Sequence, residues 1–579
     1  MGRVRLVGGG AQAGHGCPLR DRPCRGQRRP RQGRSGPLSW TWSFFLSFND
    51  THFFAFPQPV HAGAGPTGLT LALWLTRLGV PVRIFDKATG PGETSRALAV
   101  QARTLEFHRQ IGIVEDILAE GIRLERLTLH TPAGVAARLP LSDFGRGISP
   151  YSFAFALPQD IHERVLITHL ERAGVEVERG TELVAFQDKG DAVIATLSRN
   201  GKTETVSAAY LAGCDGARST VRHGLNIGFP GGTYEQAFYV ADVKGTGNVT
   251  RNGMDTTIST YGFAIVMPVR QSGSLRLIGI VPKAHEADET ISFEAIRADV
   301  ERDTGVTVEE VNWFSTYRVH HRVAERFRAG RVFLVGDAGH IHSPAGGQGM
   351  NTGMGDAVNL AWKLGAVVQG RADPRLLDSY EPERIAFAHK LIESTDKVFR
   401  FITNRSRLVG LFRRYVMPKV MNIGLHTSFG SRAFFGVISQ TAIEYRAGPI
   451  SSGMAGKVSG GDRLPYVAGN VMGAGGDNFE PLRSLDWQVH VYGEVNCDFR
   501  AMLAPTGIAV YLFAWTDAAG KAGLQRDAAY LVRPDGHVAL ASPVQEAAAF
   551  QRYLAGLAIR PRTAERAPYR VPGTMHSLA

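Results

Sequence analysis

Three groups of glycine and aspartate residues have a spacing that suits the binding of a large anionic ligand. The first is the loop Gly63-Ala64-Gly65-Pro66-Thr67-Gly68, followed by a helical pattern from Leu69 to Leu78 and the apolar run Val82 to Phe85, which ends on Asp86. Glycines let the backbone turn sharply and approach a pyrophosphate, whose charge is stabilised at a helix N-terminus. An acidic residue that closes the second strand can accept hydrogen bonds from a ribose. The unit therefore predicts a dinucleotide site, the alternative being a glycine-rich turn without a ligand; its predicted residues are Gly63, Gly65, Pro66, Gly68 and Asp86.

The other two groups are apolar strands that end in an aspartate beside a glycine. One is Leu211-Ala212-Gly213-Cys214-Asp215-Gly216, and the other is Val332-Phe333-Leu334-Val335-Gly336-Asp337, which continues to Asn351. Either motif taken alone is also what a strand–turn–helix corner with a capping aspartate looks like. Their order along the chain, after the glycine loop, is the stronger signal.

Composition limits the class of protein. The chain has 579 residues, 44% hydrophobic and 20% charged, which is typical of a soluble globular protein with more than one domain. No uncharged apolar stretch of about 18 residues occurs, so no membrane-spanning helix is expected. Of the net charge of +12, most comes from nine arginines and one aspartate in the first 34 residues, so the body of the chain is close to balanced. We therefore expect neither nucleic acid nor a membrane as a partner.

Cysteine usage indicates a reducing compartment. The four cysteines are scattered, and none is spaced with another Cys or His as a metal site requires. We expect no disulfide framework, no metal and a cytoplasmic location.

The three motifs in this order resemble the single-component flavin aromatic hydroxylases, the family of para-hydroxybenzoate hydroxylase and phenol hydroxylase. The resemblance runs from about Gly63 to the C-terminus. It implies that Asp215 helps to organise FAD and the nicotinamide cofactor, and that Asp337 binds the ribityl chain of FAD. The next segment would run beneath the isoalloxazine, where backbone N–H groups at a helix start can stabilise negative charge on the reduced flavin. The residues implied there are Pro344, Gly347, Gly349, Met350 and Asn351.

Two further segments match the same family. Within Thr94 to Glu106, Arg96 falls where the family places an arginine near the FAD pyrophosphate and the nicotinamide cofactor. Gln159 opens a predicted helix and resembles the glutamine that contacts the flavin. The alternatives are a solvated loop arginine and a helix cap. Phenol hydroxylase carries an aspartate as a base near the second-strand loop, but this chain has Leu98 there, so no catalytic residue is assigned.

The resemblance implies an α/β fold in which a Rossmann-like FAD-binding domain is interleaved with a β-sheet substrate domain. The last third resembles the thioredoxin-like domain appended to phenol hydroxylase, but it lacks a C-x-x-C motif, so we interpret it as structural or dimer-supporting and keep a homodimer open. Its first residues, Ser451 to Gly461, are glycine-rich and predict a linker, and three apolar runs beyond it predict strands: Gln488 to Tyr492, Ala509 to Phe513 and Ala529 to Val532. The predicted organisation is 1–59 atypical, 60–223 with 331–370 FAD-binding, 224–330 substrate, 371–450 helical and 451–579 thioredoxin-like.

The implied reaction is the hydroxylation of a phenolic or other aromatic small molecule, polyketide-derived or from aromatic catabolism. NAD(P)H would deliver hydride to FAD, and the reduced flavin would capture O2 as a C4a-hydroperoxide that transfers one oxygen to the ring. The alternatives are another FAD-dependent oxidoreductase of the same fold, or a catalytically dead scaffold with a basic arm. FAD binding with NAD(P)H oxidation would separate an enzyme from a scaffold.

The segment before the glycine loop departs from the family pattern. The family has an apolar central strand there, whereas this chain has Pro57 and Pro59, and prolines remove ladder donors from a central strand. We therefore expect a poor central strand, and a segment 1–59 that is disordered in the working enzyme or comes from a mispredicted start. An organelle transit peptide is the alternative for this arginine-rich segment.

Overall fold

The computed structural model describes residues 58–92, 97–131, 134–247, 252–258, 262–269, 273–285, 291–343, 346–403, 406–469 and 476–562. Our predictions for the first 57 residues, for Arg96 and for Pro344 lie outside these ranges. Within them the fold is mixed α/β, as the sequence predicts.

Strands and helices alternate along most of the chain. The strands are β1 (Val60–Ala62), β2 (Arg83–Asp86), β3 (Ile122–Leu124), β4 (Arg126–Thr131), β5 (Gly134–Pro140), β6 (Ala154–Ala156), β7 (Val177–Arg179), β8 (Thr181–Asp188), β9 (Val193–Arg199), β10 (Lys202–Ala208), β11 (Leu211–Gly213), β12 (Gly231–Gly247), β13 (Gly253–Ile258), β14 (Phe263–Pro268), β15 (Leu275–Ile280), β16 (Val306–Val323), β17 (Arg328–Ala329), β18 (Val332–Leu334), β19 (His340–Ile341), β20 (Ser452–Ala455), β21 (Val458–Ser459), β22 (Gln488–Tyr492), β23 (Ala509–Phe513), β24 (Ala529–Val532) and β25 (Val538–Ser542). The α-helices are α1 (Pro66–Arg77), α2 (Ala102–Gln110), α3 (Val114–Glu120), α4 (Gln159–Arg172), α5 (Thr220–Gly224), α6 (Phe293–Thr304), α7 (Gly349–Val368), α8 (Tyr380–Thr403), α9 (Arg407–Tyr415), α10 (Met417–His426), α11 (Ser428–Ile438), α12 (Cys497–Leu503), α13 (Asp517–Lys521) and α14 (Ala547–Gly556).

A six-stranded sheet carries the glycine and aspartate motifs. Its order is β17-β18-β11-β1-β2-β7, and all strands except β17 run parallel. Helices α1 and α7 pack against one another beside it. Because β1, β11 and β18 are adjacent and parallel, the three predicted motifs leave the sheet at the same edge.

The central strand β1 forms, contrary to the expectation from the prolines. It begins after Pro59, and the Val60 N–H donates to the carbonyl O of Tyr210 at 3.0 Å. Pro59 contributes only its carbonyl O, which accepts from the Arg83 N–H at 3.2 Å. Pro59 therefore removes no ladder donor within β1; the strand simply has three residues, all buried.

An eight-stranded sheet lies next in the fold, with the order β19-β16-β12-β15-β14-β13-β4-β5. Helix α6 packs on one face of it. On β14, Ala264 and Val266 are buried, whereas Phe263, Ile265 and Met267 alternate with them and stay half-exposed. Strands β4 and β5, and β19 at the far edge, come from outside residues 224–330.

The C-terminal sheet has the order β21-β20-β25-β24-β22-β23. Strands β22 and β23 are parallel, while β24 runs antiparallel to β22 and to β25. The prediction of a linker from Ser451 to Gly461 is wrong, because this segment forms β20 and β21, with β20 parallel to β25. Gly453, Gly456 and Gly461 have positive φ values of 71°, 65° and 93°, so the glycines serve tight turns rather than flexibility.

Helices α8 to α11 lie along the chain between α7 and the first strand of the C-terminal sheet, β20. In the part of the chain that the structure describes, no helix combines the length and the apolar character needed to cross a bilayer.

Candidate active site

The glycine loop between β1 and α1 is built from close backbone contacts. Gly63 has φ +100°, and a Cβ atom there would lie 2.3 Å from the carbonyl O of Cys214. A Cβ on Gly68 would lie 1.9 Å from the carbonyl O of Gly63. Gly65 differs, because no protein atom lies within 4 Å of a Cβ built on it, and it is the N-cap of α1, followed by Pro66. The loop therefore leaves an open approach to a helix N-terminus, as a pyrophosphate requires.

Asp86 closes β2 beside this loop. Its Oδ2 accepts a hydrogen bond from the Ala64 N–H at 2.6 Å, and its Oδ1 accepts one from the Ala88 N–H at 2.8 Å. Arg179 Nη1 lies 4.0 Å from Oδ2. A carboxylate has about four lone-pair sites, so Asp86 can still accept ribose hydroxyls while the loop holds it in place.

Asp215 follows β11, whose end is tied to β1 by the Cys214 N–H donating to the carbonyl O of Ala62 at 2.8 Å. Asp215 Oδ2 accepts from the Val221 N–H at 3.0 Å. Its Oδ1 is buried and has no hydrogen-bond partner among the described residues. Because burying an unsatisfied polar atom is unfavourable, this oxygen is suited to accept a donor from a bound molecule.

The Gly-Asp motif forms a 3-10 turn, Gly336–Ala338, directly after β18. Gly336 has φ +64°, and a Cβ on it would lie 2.6 Å from Thr67 Oγ1. A Cβ on Gly353 of α7 would lie 2.4 Å from the same oxygen. The turn, the start of α1 and helix α7 therefore converge on Thr67, and glycines permit this approach.

Asp337 is the exposed residue of that turn. Although its side chain reaches solvent, the protein around it removes part of its hydration, and this raises the pKa of its carboxyl above the ordinary value. His340 opposes the rise and Asp356 adds to it. A hydrogen-bond donor from a ligand would therefore stabilise the charged form of this carboxyl.

Asp356 of α7 holds the Gly-Asp turn from the interior. Its fully buried carboxylate accepts hydrogen bonds from the Gly336 N–H at 3.0 Å, from His340 Nε2 at 2.6 Å and from Arg384 Nε. Burial by itself raises the pKa of Asp356, but the Arg384 guanidinium and His340 outweigh it and hold the pKa below its ordinary value. Sequence reasoning missed this network, whose only signal was an acidic residue inside an apolar helical pattern.

Asn351 fixes the start of α7. Its Oδ1 accepts from the Gln101 N–H and from Thr104 Oγ1, both at 2.8 Å. Its Nδ2 donates to the carbonyl oxygens of Ala99 and Gly347, both at 2.9 Å. Two donors and two lone pairs are all that an asparagine amide has, so this side chain is a brace. The groups left for an anionic ligand are the first-turn N–H groups of α7, which have no partner within the helix.

Gln159 begins α4, and its backbone pairs with residues 97–101, the segment that Asn351 contacts from α7. The N–H groups of Gln159 and Leu157 donate to the carbonyl oxygens of Ala97 and Leu98 at 3.1 and 2.7 Å. Gln159 Nε2 donates to Glu163 Oε1 at 2.9 Å. Residues 97–101 therefore lie between the starts of α4 and α7.

His342 is a candidate proton acceptor that the sequence could not single out. Its Nδ1 lies 2.8 Å from the carbonyl O of Ser343 and so carries the ring proton, which leaves Nε2 as an acceptor. Nε2 is buried and has no partner among the described residues. Burial lowers the pKa of His342 to about 4, and His340 adds to the effect. A Cβ on Gly349 would lie 3.9 Å from Nε2, so this acceptor faces the start of α7, where Met350 packs on the core.

A second buried network joins α7 and α8 to the C-terminal sheet. Glu383 accepts from Lys363 Nζ at 2.9 Å and from the Arg533 guanidinium at 2.8 and 3.1 Å. Arg533 also pairs with Asp535 at 2.6 Å, and all four side chains are at most 2% exposed. Because an unpaired charge in the interior is costly, these pairs fix the turn after β24 on α7.

The described site residues thus meet at one edge of the parallel sheet. The open face at Gly65, the unsatisfied Asp215 oxygen and the first-turn N–H groups of α7 suit the pyrophosphate, hydroxyls and ring of a flavin dinucleotide. The residues present therefore fit FAD.

A known family supports this fit. The family described as FAD binding domain matches residues 61–395, more than half of the chain. The chain belongs to this FAD-binding family. The resemblance to FAD-dependent aromatic hydroxylases that the sequence indicated is confirmed, and so is FAD as the cofactor.

Several relatives of this FAD-binding protein are named monooxygenases. It is 40% identical over 371 residues to the 6-methylpretetramide 4-monooxygenase of Streptomyces rimosus, covering 64% of this chain and 65% of that relative. It is 33% identical over 413 residues to the pentachlorophenol 4-monooxygenase of Sphingobium chlorophenolicum, covering 70% and 74%. Its fold matches the OxyS anhydrotetracycline hydroxylase of Streptomyces rimosus with a TM-score of 0.69 and 29% identity, covering 87% of this chain and 100% of that one. The chain thus spans just under two thirds of the first relative's length.

Proposed function

We propose that the protein is an FAD-dependent monooxygenase that uses NAD(P)H and O2 to hydroxylate a phenolic small molecule. The observation that carries the proposal is the convergence of the glycine loop, the Gly-Asp turn and α7 on Thr67 in a chain of this family. The relatives' names point to substrates with phenolic rings, among them fused polyketide rings. Bound FAD would supply hydride acceptance and the activation of O2.

Each described site residue has a role in this proposal. Gly63, Gly65 and Gly68 admit the pyrophosphate, with Pro66 starting the helix that faces it. The Asp86 carboxylate accepts hydrogen bonds from ribose hydroxyls, and the Asp337 carboxylate accepts one from a ribityl hydroxyl. Asp215 helps to organise both FAD and the nicotinamide cofactor. Gln159 and the N–H groups near Gly347, Gly349, Met350 and Asn351 face the isoalloxazine. Arg96 and Pro344 keep the roles that the resemblance implies, near the nicotinamide and the flavin ring.

The substrate ring would lie against the open face of the eight-stranded sheet. Phe263, Ile265 and Met267 present a half-exposed apolar surface there, opposite the face that α6 covers. Met267 packs with the cluster that contains Leu98, next to the segment between α4 and α7. An apolar wall at this place would position an aromatic ring and exclude water from it.

His342 is the residue we propose to accept the phenolic proton. Its Nε2 is an unprotonated, buried acceptor that faces the start of α7. A phenol that shares its proton with an acceptor is more electron-rich than a free phenol, which favours attack by the ring. Because the pKa of His342 is about 4, the ring is neutral near pH 7 and available as an acceptor.

We infer that the C-terminal domain, residues 451–579, is thioredoxin-like. The order β22-α12-β23-α13-β24-β25-α14, with a parallel first pair and an antiparallel last pair, supports this. Without C-x-x-C it has no thiol redox role, and the buried pairs at Arg533 suit a structural one. A homodimer and a cytoplasmic location complete the proposal.

The test is a flavin spectrum of the purified protein, followed by NAD(P)H oxidation with a panel of phenols. We expect a yellow protein whose NAD(P)H oxidation rises with a fitting phenol and yields a hydroxylated product. The matched variant Asp337→Ala should lose flavin. A folded, colourless protein that ignores added FAD would support the dead scaffold, and flavin reduction without hydroxylation of any phenol would support another oxidoreductase.

A further inference from the structure

Helices α9 and α10 carry an apolar stripe that faces solvent. On α9, Leu408, Leu411 and Phe412 are 78%, 53% and 44% exposed, at the i, i+3, i+4 spacing of one helix face. On α10, Val420 and Ile423 are 59% and 70% exposed, again on one face. An amphipathic helix normally buries such a stripe against the core. Several exposed apolar side chains on one helix face indicate an interaction surface.

Contacts elsewhere on these helices hold them to the protein. Helix α10 packs against β5, and α11 packs against α10. The ring of Phe435 in α11 is buried and lies edge-on to Phe144, with ring centroids 4.8 Å apart. Phe412 at the edge of the stripe also packs edge-on against Phe401 of α8, with ring centroids 6.0 Å apart, whereas Leu408, Val420 and Ile423 stay mostly exposed.

The charge of this helical group selects its partner. The sequence of α9 to α11 contains no Asp or Glu and five Lys and Arg residues, of which Lys419 and Arg432 are exposed. A second copy of the chain would set this cationic segment against itself across a two-fold axis, which like charges oppose. A partner that fits these helices must carry negative charge at its surface and apolar groups just below that surface.

We propose that α9 and α10 dock on the surface of an anionic lipid bilayer. Interfacial helices bury an apolar face at the headgroup boundary while Lys and Arg contact anionic lipids. The cytoplasmic leaflet carries such lipids, so this docking agrees with the proposed location. It departs from our expectation of no membrane partner, and it does not depend on which phenol is hydroxylated.

The test is flotation of the FAD-loaded full chain with phosphatidylcholine vesicles, with and without phosphatidylserine. We expect binding to the phosphatidylserine vesicles that weakens as salt is added. Leu408→Gln with Ile423→Gln should weaken binding about tenfold or more, because two exposed apolar side chains are lost. Lys419→Glu should weaken it about tenfold, since it reverses one surface charge.

Matched controls lie on other elements. Val544→Gln changes a side chain that is 60% exposed, and Lys202→Glu makes the same charge reversal on β10. Both controls should bind vesicles as the parent does, and all variants should keep the parent's flavin content. The proposal is overturned if the parent ignores phosphatidylserine vesicles at low salt, or if patch and control variants bind equally. It is also overturned if the patch variants only convert a dimer to a monomer, or only release an acidic protein partner.

Discussion

The substitution Asp356→Asn tests whether the buried network behind the Gly-Asp turn is necessary for the fold. Asp356 is 0% exposed and Arg384 1% exposed, so the variant leaves a guanidinium in the interior without its counter-charge. Removing one partner of a buried pair costs about 3–5 kcal/mol. A protein whose net stability is about 5–15 kcal/mol would lose a large fraction of it. An amide oxygen can still accept from Gly336, so the damage should come mainly from the unpaired cation.

The assay is urea unfolding of the FAD-free protein, followed by titration with FAD. We expect a clearly lower unfolding midpoint for Asp356→Asn, and weaker FAD binding because the turn that carries Asp337 is less fixed. The control Glu393→Gln removes an exposed ion pair with Lys397, 2.7 Å long, and should leave the midpoint unchanged. If Asp356→Asn unfolds at the parent's midpoint, the argument that this buried pair stabilises the turn fails.

Four other residues allow independent tests. Asp337→Ala should weaken FAD binding by about 1.5–3 kcal/mol, or roughly 10- to 150-fold, because a hydrogen bond to a charged group is lost; an unchanged Kd in equilibrium titration would make the motif structural. Arg533 and Lys363 outweigh the effect of burial and hold the pKa of Glu383 at about 2, against an ordinary 4.5. The charged Glu383 therefore stabilises the fold above pH 4.5, and this stabilisation is lost as the pH falls toward 2. Glu383→Gln should flatten that part of the stability-versus-pH curve, and an unaltered acid slope would contradict the assignment. His61 is fully buried, and neither of its ring nitrogens has a partner among the described residues. Burial lowers its pKa from 6.5 to about 3, so the unfolded chain binds a proton first and the folded state loses stability as the pH falls from 6.5 toward 3. His61→Val should raise the free energy of unfolding by about 1–3 kcal/mol, and a lower urea midpoint would refute this. Arg96→Ala should slow flavin reduction by NAD(P)H more than it weakens FAD binding. A normal reduction rate in rapid-mixing measurements would contradict a role for Arg96 in holding the nicotinamide cofactor.

Local patterns in the sequence are sufficient for the elements that surround the site. The strands predicted at Gln488–Tyr492, Ala509–Phe513 and Ala529–Val532 have the same bounds in the structure, because each is a short apolar run between turn signals. The glycine loop and its helix are equally readable, since a backbone that must approach another backbone needs glycine. These features depend on neighbours in the sequence, and so the sequence alone determined them.

Contacts between distant residues decided the rest. Strand β4 pairs in parallel with β13, which lies far along the chain, and no local pattern reveals this. The linker prediction failed for the same reason, since β20 exists because β25 lies beside it. The pairing of Asp356 with Arg384, the bracing role of Asn351 and the unpartnered Nε2 of His342 also come from helices and strands that only the tertiary structure brings together. The type of a residue determines whether it can form a turn, cap a helix or accept a proton. The partner of a buried polar group is set by packing, because the free energy of burying that group depends on what replaces the water around it.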